Sequence, residues 1–370
     1  MRSRWSKRVA LLALTAAVAV AAGVRECRAS TPPRTPARPR PLAVQVRRLP
    51  GPQGPTLVTH PKETFREVVR CFVRYGASVW FGTYGRGLFR LGDSSLESFR
   101  AGASPLLEDR VNCLATLGSE LWIGTCAGIN VYDGKGWRAI RAGEGPAHNI
   151  YHAIEPDGRG GMWVGTTGKG LSHFDGRVWK TVTVADGLAG DWVNDMLELP
   201  GGQTWAACLG GLAVRPAGGR WRVERSELFP LYKNVVALAR QGDSLWAGFG
   251  DCGLFMTEAG KWYRPPPQLL PAPTVRALVV DRAGVLWIAT ESGIGTYSTV
   301  KDWETRGASA GLQDRDIRSL YIDPRTEDMY AGSARGTVYR RSRGDDQWKV
   351  LVRQGRLVAS GGRDREEASR

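Results

Sequence analysis

Tryptophan recurs in this chain at a nearly fixed spacing. Trp80, Trp122, Trp163, Trp205, Trp246 and Trp287 stand 41 or 42 residues apart, and Tyr330 takes a seventh place after a further 43. Two residues after each comes a small residue: Gly82, Gly124, Gly165, Ala207, Gly248, Ala289 and Gly332. Four or five residues later comes a glycine: Gly87, Gly128, Gly170, Gly211, Gly253, Gly293 and Gly336. A second aromatic series runs through Trp137, Trp179, Trp221, Trp262, Trp303 and Trp348, with Leu96 in that place in the first unit. Twelve of the fourteen tryptophans are therefore repeat positions, and only Trp5 and Trp192 fall outside. A unit of about 41 residues cannot bury its apolar face alone, so each must stack on the next.

Each unit reads as four short strands, a to d. Strand a is an apolar run such as "VNCLATL", "VVALAR", "VRALVVD" or "IRSLYID". Strand b carries the first aromatic, as in "LWIGT" and "MWVGT"; strand c is "GINVYD" or "GLSHFD"; strand d follows the second aromatic, as in "GWRAIRA". Alternation and β-branched residues favour strands, and only the N-terminal run has the length of a long helix. The glycine between b and c predicts a turn with positive φ. The reading is all-β, a seven-bladed β-propeller of four-stranded antiparallel blades. Its repeats fall at about 68–109, 110–150, 151–192, 193–233, 234–274, 275–316 and 317–354, with a polar tail at 355–370. The strict period assigns the repeat tryptophans to blade packing, where a large flat ring fills the interface. Ring closure has two readings. "QWKVLVR", 347–353, serves as the last strand d; "LAVQVRRL", 42–49, within a lead-in segment 42–67, either adds to that blade or lies outside it.

Before the repeats, "MRSRWSKR" is basic and residues 9–24 form an uncharged apolar run ended by Arg25 and Glu26. This is the pattern of a signal peptide over 1–24, and it is shorter than the about 20 residues of a membrane span. Ala17-Val18-Ala19 and Ala19-Val20-Ala21 suit cleavage; left uncut, the run is an N-terminal anchor. Cys27 follows, but Arg25 and Glu26 put charges where lipidation needs small apolar residues. Residues 25–41, containing "TPPRTPARPRP", form a Pro/Arg-rich linker expected to run extended. The formal charge of +15 is concentrated here: residues 1–50 hold eleven Lys/Arg and one acid, against 40 and 35 in the rest. A nucleic-acid-binding domain carries its basic stripe on the folded body, so this distribution argues against that partner. The six cysteines show no CxxC pair and no zinc-like spacing with histidine. Cys71 and Cys113 occupy matching places on adjacent a strands and read as small buried hydrophobes. Cys208 and Cys252 lie in neighbouring units, where a bridge is geometrically conceivable.

The repeat resembles the two-component regulator propeller, whose pattern is roughly D-x-x-G-x-apolar-W-apolar-G-T, a turn, then G-apolar. "EPDGRGGMWVGTTGKGLSHFDGRVW" and "DRAGVLWIATESGIGTY" match best, and the family's D-G-L before the next strand a stands in "ADGLAGDWVND" and, more weakly, in "SAGLQDRDIRS". All seven units match to some degree. The resemblance implies the exported, ligand-sensing half of a signalling system. In relatives it is followed by a membrane helix and kinase domains, for which this sequence has no counterpart before its tail "GGRDREEASR".

In such a ring the d–a and b–c loops share one face, where fold analogy places ligands. The d–a loops are expected to ring the channel mouth with Arg110, Asn112, His148, Asn149, His152, Trp192, Asn194, Lys233, Arg276, Arg315 and Arg318. Trp192, outside the packing register, is read either as a stacking platform for a ligand or as a lid on its blade. The basic residues are read either as ligand contacts or as a solvated rim paired with Asp109, Asp191 and Asp314. The reading is an exported binding module, periplasmic or extracellular, with no catalytic residue, metal or cofactor assigned. Its partner is a small ligand, a glycan or an envelope protein, with a separate membrane sensor kinase reading the signal. Two alternatives stand beside it. One is a lyase or hydrolase with a metal-assisted site at the mouth, using His148 and His152 with Asp195 as base and Glu155 further down the strand. The other is a structural scaffold in an envelope complex.

Overall fold

The computed structural model describes residues 68–358, apart from 231–233 and 301, together with the two-residue strand Arg47–Arg48. The leader, the linker, most of the lead-in segment and the tail beyond 358 lie outside the described residues. Seven antiparallel sheets follow one another, at 69–99, 111–140, 151–182, 193–224, 235–263, 275–306 and 317–357. Each holds four sequential strands, a innermost and d outermost. Blade 7 gains a fifth short strand, Arg356–Leu357, and blade 2 is joined at its outer edge by Arg47–Arg48. Among the described residues no helix is long and apolar enough to cross a membrane.

The repeat motif has a physical part for each letter. The tryptophan of strand b is buried in every blade that carries it, from 0% exposed at Trp246 to 8% at Trp205. Its partner is not the second tryptophan of its own unit. Trp122, Trp163, Trp205, Trp246 and Trp287 meet Trp179, Trp221, Trp262, Trp303 and Trp348 of the following blade, ring centres 6.1–6.4 Å apart. The small residue two places on is where the next blade's strand a presses. A β-carbon at Gly82 would sit 2.5 Å from Val111 Cγ1 and 2.7 Å from Cys71 Sγ. The threonine that follows closes the b–c turn: Thr83, Thr125, Thr166 and Thr290 donate through Oγ1 to the carbonyls of Gly87, Gly128, Gly170 and Gly293. All seven turn glycines have positive φ, from 76° to 134°. The D-G-L motif is structural as well. Asp186 caps a short 3-10 turn through the Thr183 amide, Gly187 stands at φ 106°, and Leu188 is 2% exposed.

The two departures from the repeat meet at one seam. Tyr330, in place of the seventh tryptophan, and Leu96, in place of a second-series tryptophan, both pack in the cluster joining blade 7 to blade 1. Phe72 stacks there on Tyr321 and lies 6.0 Å from Tyr330. Ser319 Oγ donates to the Val69 carbonyl, the Arg74 amide donates to the Tyr321 hydroxyl, and the Arg74 guanidinium pairs with Asp323, whose side chain is fully buried. The last strand d is Lys349–Arg353, drawn from the same continuous stretch as its blade. The described part of the lead-in segment lies outside blade 7, on blade 2. The ring is thus closed by side-chain packing, with no strand exchanged between its ends among the described residues.

Candidate functional site at the channel mouth

The b–c turns and d–a loops share one face because their backbones bond each other. The amides of Tyr84, Cys126, Thr167, Leu209, Gly250 and Ala334 donate to the carbonyls of Val68, Arg110, Ile150, Trp192, Asn234 and Asp316. These carbonyl residues directly precede strand a and form the rim of the mouth. Trp192 therefore holds a repeat position after all, the rim position of blade 4, equivalent to Arg110 in blade 2. The packing period could not reveal this, because the rim series is chemically unconserved between blades.

Two residues along from each rim position, every a strand carries a β-bulge. The register slips around Arg70, Asn112, His152, Asn194, Val236, Arg276 and Arg318, the second residue of each strand. A bulge leaves one residue unpaired and re-aims its side chain. Here four of these residues, Arg70, His152, Arg276 and Arg318, feel one another across the ring. Arg70, in blade 1, acts electrostatically on His152 in blade 3 and on Arg276 in blade 6.

Five of the residues expected from sequence occupy this ring: Asn112, His152, Asn194, Arg276 and Arg318. Arg70 and Val236 were missed. The signal for Arg70 was available, since Cys71 and Cys113 align and Arg70 therefore aligns with Asn112. On the rim, Trp192 is 37% exposed and its ring lies 5.2 Å from that of His152. Exposed Leu209 and Tyr84 add apolar surface there, and Tyr84 is flanked by Arg70 and Arg110 at 5.7 and 5.9 Å. Asn194 donates to the Asn234 side chain and the Val235 carbonyl, so it ties blade 4 to blade 5. Asn149 accepts from the Ala142 amide and His148 from the Ile150 amide, and both serve to hold their loop. Arg315 is an exposed loop residue, and Lys233 lies outside the described residues.

The ion pairs differ from those expected. Arg110 pairs with Glu108 at 2.6 Å, Arg318 with Asp316 at 2.7 Å, and Arg276 with Glu291 at 3.6 Å. Asp109 instead holds Arg100; Asp191 accepts from the Val184 amide; Asp314 accepts from the amides of Asp316 and Arg335. Aspartate in a loop satisfies backbone amides first, which is why sequence proximity named the wrong partners. Cys208 and Cys252 are both free thiols: Cys208 is fully buried at the end of its strand, and Cys252 lies in the turn beside Asp251. Burial pushes the Cys71 thiol up to about 12, with the Gly82 amide and Arg70 pulling the other way, so it behaves as a protonated core group.

Deeper in the channel lie two carboxyls. Burial, followed by the charge of Asp195, pushes Glu155 up to about 8. By its own surface area Glu155 is exposed, but it stands on strand a, the innermost strand of its blade, with protein on either side. Burial pushes Asp195 up to about 7 against the pull of the Leu238 and Met196 amides. Asp195 accepts from both amides, at 2.7 and 2.8 Å, which commits its two oxygens to joining blades 4 and 5. Burial, then the charge of Arg70, lowers His152 to about 4, so its ring is neutral at pH 7. Among the described residues no group of three or more His, Cys, Asp and Glu is placed to hold a metal ion.

Comparison with known proteins agrees with this architecture. The model of the two component regulator propeller family matches at residues 144–168 and 269–292. No curated protein matches the chain. Among solved structures, the extracellular domain assigned to the hybrid two component system BT3049 of B. thetaiotaomicron superposes with a TM-score of 0.64 at 20% identity, over 75% of this chain and 39% of that one. The extracellular domain assigned to the one component system BT4673 of the same organism gives 0.61 at 18% identity, over 74% and 38%. The chain thus spans about two fifths of each. A catalytically inactive virginiamycin B lyase from Staphylococcus aureus gives 0.56 at 12% identity, over 82% and 97%. At these identities the superpositions establish a shared propeller fold. The chain carries two component regulator propeller repeats.

Proposed function

We propose that this propeller is an exported binding module that senses or holds a ligand or a protein partner at its channel mouth, within an envelope signalling system and without chemistry of its own. The observation that carries this reading is the ring of seven bulge positions just inside a rim on which Trp192 stays exposed over His152. An aromatic ring left accessible in a polar concave site is what ligand pockets and interaction hot spots use. The family repeats and the likeness to extracellular domains of signalling proteins support the setting. A separate membrane kinase then reads the bound state. The commitment of both Asp195 oxygens to backbone amides weighs against its use as a general base. The test is a thermal-shift screen of the full chain against sugars, peptidoglycan fragments, amino acids and divalent metals, repeated with Trp192→Ala. A ligand that binds only the folded state raises the melting temperature. A shift lost in Trp192→Ala supports the reading. A shift with divalent metal alone replaces it with a metal-assisted enzyme. No shift that depends on Trp192 overturns the small-ligand form of the reading and leaves a protein partner, sought next by pull-down from envelope extract.

A further inference from the structure

The ring of bulge residues is chemically lopsided. Going round the channel, blades 6, 7 and 1 supply Arg276, Arg318 and Arg70 in succession, whereas blades 2 to 5 supply two asparagines, a neutral histidine and a valine. Three adjacent guanidinium groups at one level of a narrow channel repel each other. That repulsion is felt: burial first, then Arg318, and further down Arg70, all hold Arg276 below its usual value.

The acids nearby do not offset the cluster. Asp316 accepts from Arg318 at 2.7 Å, and Glu291, itself 46% exposed, stands 3.6 Å from Arg276. Both carboxylates belong to rim loops. Among the described residues Arg70 makes no hydrogen bond or ion pair and rests only on the Tyr84 ring. The Nε groups of Arg276 and Arg318 are buried without any acceptor, as are those of Arg74, Arg215, Arg306 and Arg341 elsewhere in the ring, while Asp316 Oδ1 is buried without a donor. Buried donors without partners are uncommon and costly, about 1–3 kcal/mol each. A channel wall that holds three guanidinium groups against two carboxylates keeps an excess of positive charge and of N–H donors.

We propose that blades 6, 7 and 1 form an anion seat, in which Arg70, Arg276 and Arg318 receive the carboxylate, sulfate or phosphate group of a small ligand. The inference rests on the mouth being the binding site and names the ligand's chemistry. The uncharged remainder of the ligand extends across the mouth toward His152 and Trp192, the side of the ring that offers aromatic surface instead of charge. Guanidinium groups suit this task because their forked N–H donors match two oxygens at once.

The probes are citrate, sulfate and inorganic phosphate, each compared with sodium chloride at equal ionic strength, on the full chain. At tenfold excess over the dissociation constant a bound anion raises the melting temperature by about 3 °C. Arg70→Met and Arg276→Met each raise the dissociation constant at least about tenfold, the worth of one charge-assisted hydrogen bond, which cuts the shift to about 1 °C, while Arg177→Met, on the exposed c–d turn of blade 3, leaves it intact. Citrate acting alone assigns a carboxylate ligand; sulfate or phosphate acting assigns a tetrahedral oxyanion. A second measurement needs no substitution. Because the charge of Arg70 helps hold the His152 proton off, a bound anion moves the His152 titration upward, read by NMR. Equal response to sodium chloride, or a response that survives both Arg70→Met and Arg276→Met, overturns the anion seat. If the screen finds a neutral ligand dependent on Trp192 and no anion response, the seat falls and the binding site stands.

Discussion

Trp192 and Arg70 show how differently two residues of one site declare themselves. Trp192 stands out by breaking the tryptophan period, and the structure leaves it exposed over His152. Arg70 looks like any arginine until the bulge register places it beside Arg276 and Arg318. The channel carboxyls give the residue-scale prediction. Glu155 and Asp195 keep their protons to about 8 and about 7 in the folded protein, whereas an unfolded chain releases them near pH 4. The folded state therefore binds more protons between those values, and its stability falls as pH rises through the window. His152 has the opposite sign. Titrating at about 4 when folded and near 6.5 when unfolded, it favours folding as pH rises between the two. Above about pH 6.5 only the carboxyl effect remains. Melting temperature measured from pH 6.5 to 8.5 should fall, and Glu155→Gln should flatten that fall. An unchanged slope in the variant would mean that Glu155 ionises normally.

At the scale of the element, the blade is a device for presenting flat faces. Strand b buries every residue in blades 1, 3, 4, 6 and 7 because both its faces meet other blades. Where a glycine stands two places after the aromatic it is selected by contact, with no left-handed backbone involved, whereas blades 4 and 6 hold Ala207 and Ala289 there. At Gly332 a β-carbon would lie 2.5 Å from both Ser319 Oγ and Val69 Cγ1. Gly332→Ala should therefore cost about 1–3 kcal/mol, the range for overpacked cores, read as a lower urea midpoint with an unchanged slope. A neutral result would show that blade 1 can retreat from blade 7. The same substitution at Gly344, where a β-carbon meets nothing within 4 Å but φ is 78°, costs only through its backbone. The bulge of strand a is the element-scale feature that sequence concealed. Inserting one residue changes no composition and breaks the alternation only where it is already irregular.

For the whole molecule the question is how a ring with two ends stays shut. Blade 7 and blade 1 meet through aromatic packing and one buried ion pair. Burial raises the Asp323 carboxyl, but the Arg74 guanidinium and the Arg325 amide together hold it below its usual value. Removing one partner of a buried pair strands the other, at a cost of about 3–5 kcal/mol. Asp323→Ala should therefore lower the melting temperature more than Asp345→Ala, which breaks an exposed, solvent-screened pair with Lys349. Tyr330→Ala should cost about as much as the buried-pair loss by opening the seam cluster. If all three variants melted alike, the seam would not be the ring's weak joint.

A sequence period records which residues must be alike, and a shared interface repeated seven times imposes that likeness. Thus the number of blades, the strand order, the turn glycines and the packing places of twelve tryptophans could be read from spacing alone, although Trp179, Trp262 and Trp303 stay half-buried, and so could the loops that face the mouth. Likeness cannot say who touches whom. That each tryptophan meets the next blade's partner, and that Tyr330 and Leu96 compensate each other at the seam, follow from stacking in space. The site is harder still to read, because binding uses the positions where blades differ. Arg70, Arg276 and Arg318 lie far apart along the chain, and only closure of the ring makes blades 6, 7 and 1 neighbours and brings three like charges to one wall.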